Sequence, residues 1–413
     1  MLTTGEKIKQ IRKAKGLSQE NLAHDIGLST STICRIEQGI AVINGDILKA
    51  IKKALEIESA PLLPGENEGF KERLYIWHKL ILDNHLIEAK TLQVGLSDIA
   101  ALPFEKDLAT LYRLFEISLM LAEQDFPAAK GGLLSLKASL EDMNNENQYH
   151  FYRNMGWLYM SIGPDRALEP LEYLLKAYAI QEKPDGGLYY RIARCYTRLG
   201  QPFRSMVMLE KAYKAYGDNK TTTIGLDLDN KMALNYIDIG DTVRAREILE
   251  KCLVNAKSIA NERYIAVILH NIGSTYAKEK IWDIALDYFM QASEYFRETS
   301  DLINQYYKAR CLAALRRFTQ CKEILAQGAE LPAGMDFCTI LYNSINHLIT
   351  LREPASHEYL ETVTIPYLIS RNNITESLDY CEILEDFHES RGSTKKALKF
   401  AKIQRDIYKR MIL

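Results

Sequence analysis

The stretch His270–Phe289, which reads HNIGSTYAKEKIWDIALDYF, decides the fold of most of this chain. In it a small residue, Gly273, is followed three residues later by an aromatic residue and, after a turn, by Ala285 and Phe289. A small residue lets two helices approach closely, and apolar residues at helical spacing fill the space between them. The stretch therefore predicts a pair of closely crossing helices. The sequence YYRIARCYTRLG at Tyr189–Gly200 is a second clear copy of its first half.

Positions equivalent to Gly273 recur along the chain at nearly constant intervals, at Trp77, Ile117, Gly156, Ala193, Ala233, Gly273 and Ala309. The pattern resembles the tetratricopeptide repeat, stretched beyond its basic length by longer helices. Eight or nine repeats fit residues 70–413, and a last helical pair, Ser377–Leu413, is expected to cap the array. The resemblance implies an all-α fold whose repeat region is a right-handed superhelix of about nine helical pairs.

Residues 1–58 show a different pattern, which predicts four short helices. Apolar residues recur there at helical spacing, and Gly16, Gly27 and Gly39 separate the runs. The stretch Leu17–Gly39, LSQENLAHDIGLSTSTICRIEQG, predicts two of these helices joined by a tight turn, which is a helix-turn-helix. Residues 59–69 then break the helical pattern with prolines and glycines, and they predict a linker between this first domain (1–58) and the repeat domain (70–413).

This motif resembles the Cro and phage-repressor type of helix-turn-helix, the Xre family. The resemblance implies that the DNA contacts come from Gln19, Ser29, Thr30, Ser31, Thr32 and Arg35. The chemistry agrees, because hydroxyls donate or accept and an arginine can contact guanine O6 and N7 together. Arg12 and Glu37 are interpreted as a structural pair. The alternative is a small helical domain used only for protein contacts.

The segment Ile40–Val42 departs from the Xre pattern, because relatives commonly have polar or basic residues after the glycine. Two interpretations remain open for it. Its apolar residues either weaken a phosphate contact or form an apolar dimer surface.

Composition excludes several classes of protein. The chain carries 52 Lys and Arg against 54 Asp and Glu, so DNA contact must be local, and the segment 1–58 is the more basic part with a net charge of +2. Seven cysteines without C-x-x-C spacing favour a reducing cytoplasm over a disulfide framework. No apolar run is long enough to span a membrane, so no membrane partner is expected. Common catalytic and metal-binding motifs are missing, and we expect no enzyme, no metal and no cofactor.

A solenoid of helical pairs offers a concave groove lined by the first helix of each pair. Positions just before and after the small residue are expected to face that groove rather than the core. They are Arg153, Asn154, Trp157, Tyr190, Arg191, Arg194, Asn230, Lys231, His270, Asn271, Tyr307 and Arg310. Asparagine amides can bind both N–H and C=O of an extended peptide, and arginines can bind a carboxylate. The alternative is a solvated inner face without a dedicated ligand.

An Xre-type domain followed by about nine such repeats resembles the Rap-Rgg-NprR-PlcR-PrgX family of peptide-pheromone receptors, and length and repeat number are most similar to NprR-type members. The resemblance implies a quorum-sensing transcription regulator in the cytoplasm that binds a double-stranded DNA operator and a short oligopeptide pheromone. It implies a homodimer, with a higher oligomer as the peptide-bound alternative.

Two other functions stay open. One is a Rap-like phosphatase-stimulating activity on a response regulator through residues 71–93, with Trp77, Gln93 and Gln124 as candidate contacts. The other is a repressor controlled by a protein antagonist.

Overall fold

The structure is a computed structural model that describes residues 2–63, 65–102, 104–163, 167–182, 184–217, 222–296, 301–328, 336–350 and 354–412. The described residues are almost entirely helical and contain no strand, so the prediction of an all-α fold is confirmed. The chain forms two compact units, Met1–Lys183 and Pro184–Leu413. Each is described by itself.

The head of the first unit consists of four short helices, as the sequence predicts. They are α1 (Thr4–Ala14), α2 (Gln19–Asp25), α3 (Thr30–Glu37) and α4 (Gly45–Ala54). Ser18 caps α2 by accepting a 2.9 Å hydrogen bond from the amide of Asn21. Gly16 has a φ of 69°, a left-handed conformation that ends α1 and favours glycine.

The segment after the head is packed against the repeats, which differs from the loose linker expected for residues 59–69. Ala60 and Leu62 are fully buried, and helix α5 already begins at Glu66; Pro64 lies outside the described residues. Ser59 donates from its amide (3.0 Å) and its hydroxyl (2.8 Å) to the Asp98 carboxylate. These apolar side chains join the core of the head to that of the first repeats, so burial outweighs the helix-breaking residues that suggested a linker.

The rest of the first unit consists of three helical pairs, α5 to α10. They span Glu66–Leu82, Leu86–Val94, Lys106–Ala122, Phe126–Lys137, Asn145–Ile162 and Leu168–Ile180. The Nζ of Lys7 in the head forms a 3.1 Å ion pair with Glu105, just before α7. The head and the first repeats therefore share polar as well as apolar contacts.

The second unit continues the helical pairs. Helices α11 to α19 span Gly186–Arg198, Pro202–Tyr216, Thr222–Asp238, Thr242–Ser258, Glu262–Lys278, Trp282–Ser293, Leu302–Ala314, Phe318–Gly328 and Asp336–Thr350. The small residues that set the period lie at the crossings: a Cβ added at Gly273 would be 2.9 Å from the Phe289 ring, and Ala193, Ala233 and Ala309 are fully buried. The periodicity therefore identified the contact points between the helices.

The chain ends with four helices: α20 (Ala355–Tyr359), α21 (Ile365–Ser370), α22 (Ile374–Ser390) and α23 (Thr394–Ile412). A π-helical segment, Leu360–Thr364, joins α20 to α21, so the two serve as one second helix after α19. With that pairing, the described residues after the head form nine helical pairs, as predicted.

Helix α22 does more than continue the array, because it packs back onto earlier helices of the same unit. Its Tyr380 hydroxyl lies 3.1 Å from that of Tyr306 on α17, and Ile374 contacts Gly200 at the end of α11. This return of α22 creates the cavity described next.

Candidate functional site

The exposed surface of the head is centred on α3. Thr30, Ser31 and Arg35 are exposed on this helix, whereas Ile33 and Ile36 are buried in the head. Arg35 forms no ion pair with any described residue, so its guanidinium is available to a ligand. Ser29 caps α3 through a 3.1 Å hydrogen bond from the Thr32 amide. The base-reading surface expected from the sequence is thus accessible.

A buried ion pair fixes α3 against α1. The Nε of Arg12 lies 2.6 Å from one oxygen of Glu37 and its Nη2 lies 2.9 Å from the other. Burial alone would raise the pKa of Glu37, but hydrogen bonds from Arg12 and Gln19 outweigh burial and lower it. The structural role predicted for this pair is confirmed. Gln19 opens α2 as expected and donates 2.8 Å to Glu37, which orients its side chain.

The second unit contains an open cavity of about 240 Å³. Its walls come from α13, α15, α17 and α22, with Phe337 from α19. Apolar side chains such as Leu234 and Ile303 are mixed with a dense set of polar groups. The cavity therefore offers a ligand both apolar contacts and many hydrogen-bonding partners.

Most charges around the cavity are paired across helices. Asp379 of α22 lies 2.6 Å from Arg310 and 3.6 Å from Lys278, and Tyr307 donates a short hydrogen bond to Glu376. Burial alone would raise the pKa of Asp379, but the two cations lower it. These contacts tie α22 to α15 and α17 through the cavity wall.

Asp238, unlike Asp379, contacts the described residues through a hydrogen bond rather than an ion pair. It accepts a 3.1 Å hydrogen bond from the Thr375 hydroxyl and forms no ion pair with any described residue. Burial raises the pKa of Asp238 to about 6. Lys278 and Lys231 lie near enough to oppose this rise without cancelling it. A cationic group of a ligand at this position would favour the ionised form of Asp238 further.

Four of the expected groove residues line the cavity: His270, Asn271, Tyr307 and Arg310. The Asn271 amide donates 2.7 Å to Asn230, which belongs to the preceding first helix. Nδ1 of His270 lies 2.9 Å from Asn304 Oδ1, and burial lowers the pKa of His270.

The remaining expected residues of the second unit lie on α11 and α13 as half-buried side chains: Tyr190, Arg191, Arg194, Asn230 and Lys231. Arg194 lies over the Tyr190 ring, 5.9 Å from its centre. Burial and the nearby charge of Arg194 lower the pKa of Lys231 to about 8. Arg194 and Lys231 thus place two cations near each other, with Asp227 and Asp238 as nearby opposite charges.

Two groove expectations are wrong. Arg153 and Asn154 of α9 are fully buried, so neither side chain is exposed to a groove. The Asn154 amide donates 2.7 Å to the Leu114 carbonyl and accepts 2.9 Å from Ser118. The amide joins neighbouring helices because a buried polar group needs internal partners. Trp157 is half-buried on the same helix.

The sequence reasoning missed several cavity residues. Ser274 and Leu234 directly follow the small residues of their repeats, and Lys278 and Asp238 lie four residues further along the same helices. Residues four apart share a helix face, so extending the expected groove by one turn would have found both. Thr375, Glu376 and Asp379 belong to α22, whose return to the earlier helices leaves no local signal in the sequence.

Comparison with known proteins places these features in context. A helix-turn-helix family model matches residues 8–62. The transcriptional activator NprA of Geobacillus stearothermophilus is 21% identical over 412 residues, which cover 93% of this chain and 98% of NprA. The apo form of the quorum sensor NprR from B. thuringiensis superposes with a TM-score of 0.68 at 18% identity, covering 83% of this chain and 99% of NprR.

NprR in complex with its cognate peptide NprX has a TM-score of 0.65 at 19% identity, covering 82% of this chain and 99% of that one. A Rap protein complexed with competence and sporulation factor superposes with a TM-score of 0.68 at 16% identity, covering 83% of this chain and 99% of the Rap chain. The chain is therefore similar in fold to these solved structures, and its similarity in sequence to NprA extends over nearly its whole length.

The helix-turn-helix head and the helical repeats are the two features of this chain that these comparisons match. Within the described ranges, none of the helices combines the length and apolarity that crossing a bilayer would require.

Proposed function

We propose that this protein is a cytoplasmic transcription regulator that binds an operator through α3 of its head and a short signalling peptide through its repeats. The observation that carries the proposal is the cavity of the second unit, where first helices of three successive repeats and α22 converge. The relatives support it, since NprA is named a transcriptional activator and NprR a quorum sensor with a cognate peptide.

The ligand is an extended peptide of about five to eight residues, because an extended chain spans up to about 3.3 to 3.6 Å per residue and so reaches several repeats. A cationic group of the peptide contacts Asp238, a cavity carboxylate that has no ion-pair partner among the described residues. An anionic group contacts Arg194 and Lys231, where it relieves the repulsion between the two cations. The peptide thus carries both signs of charge.

Operator binding requires two heads. The head has a net charge of only +2, so one head makes few phosphate contacts, whereas a homodimer places two on adjacent major grooves. The peptide acts by changing the arrangement or oligomeric state of the repeats.

Affinity selection from a random heptapeptide library tests the peptide site. Full-length protein is incubated with the library, and retained peptides are identified by mass spectrometry and titrated individually by calorimetry. The Asn271→Ala variant should bind them more weakly by about 1 kcal/mol or more, because a buried amide loses its hydrogen bonds. Asn255→Ala, on the exposed side of α14, is the matched control and should bind normally. Equal titration by wild type and Asn271→Ala would remove the groove assignment.

A phosphatase-like activity on a response regulator is the second candidate. Fold similarity to the Rap protein favours it, and so do the exposed apolar side chains of α5 and α6: Ile76 is 57% exposed, Ile87 81% and Val94 78%. Three residues were candidate contacts for a response regulator. Trp77 is fully buried, and Gln93 is hydrogen-bonded to Tyr112 and Glu116. Gln124 is exposed, so of the three it is the one whose side chain is accessible to a partner.

A panel of phosphorylated receiver domains tests this activity. Loss of phosphate should be faster with the protein than without it, and Ile87→Glu should abolish the difference. Lack of any acceleration across the panel would exclude the activity for those partners.

A further inference from the structure

The last helix, α23, carries the densest positive charge of the chain. Its 19 residues include seven Lys and Arg and a single acidic residue, Asp406, a net charge of +6 in a chain whose total is −2. All seven basic side chains are exposed; they are Lys395, Lys396, Lys399, Lys402, Arg405, Lys409 and Arg410. For comparison, the entire head has a net charge of +2.

The protein neutralises only part of this charge. Arg405 lies 3.4 Å from Asp406 of the same helix. Lys396 and Lys399 share one carboxylate, Glu361, at 3.6 and 3.0 Å. Lys395, Lys402 and Lys409 form no ion pair with any residue that the structure describes. Successive members of this trio are seven residues apart, close to two helical turns, so they point to one side of the helix over about 21 Å.

The acidic neighbour, α22, does not supply the missing counter-charges. Its Asp379 pairs with Arg310, and its Glu382 lies 2.8 Å from Lys280. Glu385 accepts a hydrogen bond from Gln404 of α23, which is a neutral partner. Acidic residues of α22 thus form ion pairs with cations of earlier repeats rather than with α23. The outer face of α23 therefore remains strongly positive.

We propose that the outer face of α23 binds the phosphate backbone of double-stranded DNA, independently of sequence, as a second DNA surface besides the head. DNA presents one negative charge per about 1.7 Å of its axis, so a stripe of lysines about 21 Å long meets several phosphates at once. The proposal rests on the proposed function only in taking DNA as the polyanion that this protein encounters.

An anionic membrane fits this helix less well. The apolar side of α23 is already used inside the protein, since Phe400, Ile407 and Met411 are buried there. Insertion into a bilayer would require the helix to leave α22, because a membrane-surface helix must bury that same apolar side in lipid. DNA needs only the exposed charges.

The test measures binding of full-length protein to a non-operator duplex over a series of salt concentrations. Three surface lysines of α23 are removed together in Lys395→Gln/Lys402→Gln/Lys409→Gln. If each contacts one phosphate, the slope of log affinity against log salt should become shallower by up to about 2.7, that is, about 0.9 per lost contact. Affinity at low salt should fall at least tenfold.

The matched control is Lys251→Gln/Lys257→Gln/Lys322→Gln, which removes the same charge from exposed positions of the same unit. It should leave slope and affinity near wild type. An equal loss in the control would show that net charge alone matters, and an unchanged slope in the α23 variant would remove the contacts; either overturns the proposal. Loss of binding to phosphatidylserine vesicles with unchanged DNA binding would assign α23 to lipid and overturn it too.

The Arg35→Ala variant separates this proposal from the function of the head. It should lose operator preference yet keep the salt dependence of wild type on non-operator DNA. If no operator is found while the α23 variant still shows the shallower salt slope, operator binding by the head is contradicted and DNA binding by α23 is still supported.

Discussion

The guanidinium of Arg35 is the one exposed cation of α3, and its contribution to operator binding can be measured. We expect Arg35→Ala to cost about 1 to 3 kcal/mol of operator binding and to relax sequence preference, because a contact with a base edge is lost. The operator is first obtained by selection from a random duplex pool, and affinity is then measured by fluorescence anisotropy.

The control for Arg35→Ala is Lys53→Ala, which removes an exposed charge from α4. Any change in DNA affinity that it causes should be the same for operator and random sequences. Equal losses for operator and random DNA in Arg35→Ala would mean that Arg35 contacts only phosphate.

Asp238 makes stability depend on pH in an unusual direction. Its folded pKa of about 6 lies above the ordinary value of 3.8, so the folded state binds the proton more tightly than the unfolded state. The resulting stabilisation is complete below about pH 4 and is lost as pH rises through 6. Asp238→Asn should therefore raise the free energy of unfolding by about 1 to 2 kcal/mol at neutral pH and change it little in acid.

Urea unfolding followed by circular dichroism, at about pH 4 and about pH 7.5, measures this effect. The exposed Asp287→Asn is the control and should show no such dependence. Destabilisation by Asp238→Asn at neutral pH would mean that the ionised carboxylate is compensated by charges around it.

Single residues also show where sequence reasoning stops. The Arg12–Glu37 pair was predictable, because the helix-turn-helix pattern fixes both positions. Asn154 was not, since the same asparagine at the same repeat position can face a groove or join two helices, and only the packing of α7 against α9 decides. The asparagine at the equivalent position of a later repeat, Asn271, does line the cavity.

Among the elements, α22 has a double role, as a partner of α23 and as a wall of the cavity. Asp379→Asn removes the carboxylate shared by Arg310 and Lys278 and leaves two partly buried cations facing each other. We expect α22 to be destabilised by about 1 to 3 kcal/mol. Because the pKa of Asp379 is lowered in the folded state, this contribution should fade as pH falls through that lowered pKa.

Hydrogen exchange of α22 amides measures the Asp379→Asn effect directly. Asp386→Asn, an exposed acid on the same helix, is the matched control and should exchange as wild type. Unchanged protection in Asp379→Asn would show that apolar contacts alone hold α22.

The helices themselves were largely predictable from the sequence, whereas the cavity was only partly so. The regular period identifies the pairs because from Gly156 to Ala309 each crossing has a small residue at the same place, as Gly273 shows against Phe289. The return of α22 to α13 depends on contacts between residues more than a hundred positions apart, such as Thr375 with Asp238. Periodicity carries no information about such contacts.

For the whole molecule, peptide and operator are expected to be coupled. A peptide that binds one arrangement of the repeats better than another shifts operator affinity by that difference, and about 1 to 3 kcal/mol is ordinary. Operator DNA should change peptide affinity by the same factor. Both titrations use a peptide obtained from the heptapeptide selection, and small-angle scattering follows the dimensions of the protein. Tight peptide binding with unchanged dimensions, oligomeric state and operator affinity would exclude the switch.

The buried segment between head and repeats limits how such proteins can be recombined. Ile57, Ala60 and Leu62 complete the core of the head while filling space against the first repeats. A chimera cut at residue 58 would separate the head from Ala60 and Leu62. It would leave a cavity in the core of the head and expose these apolar side chains on the repeats. A head transplanted to a foreign array must therefore bring residues 57–62 and find a matching surface there, so heads and arrays of this type are expected to be inherited together.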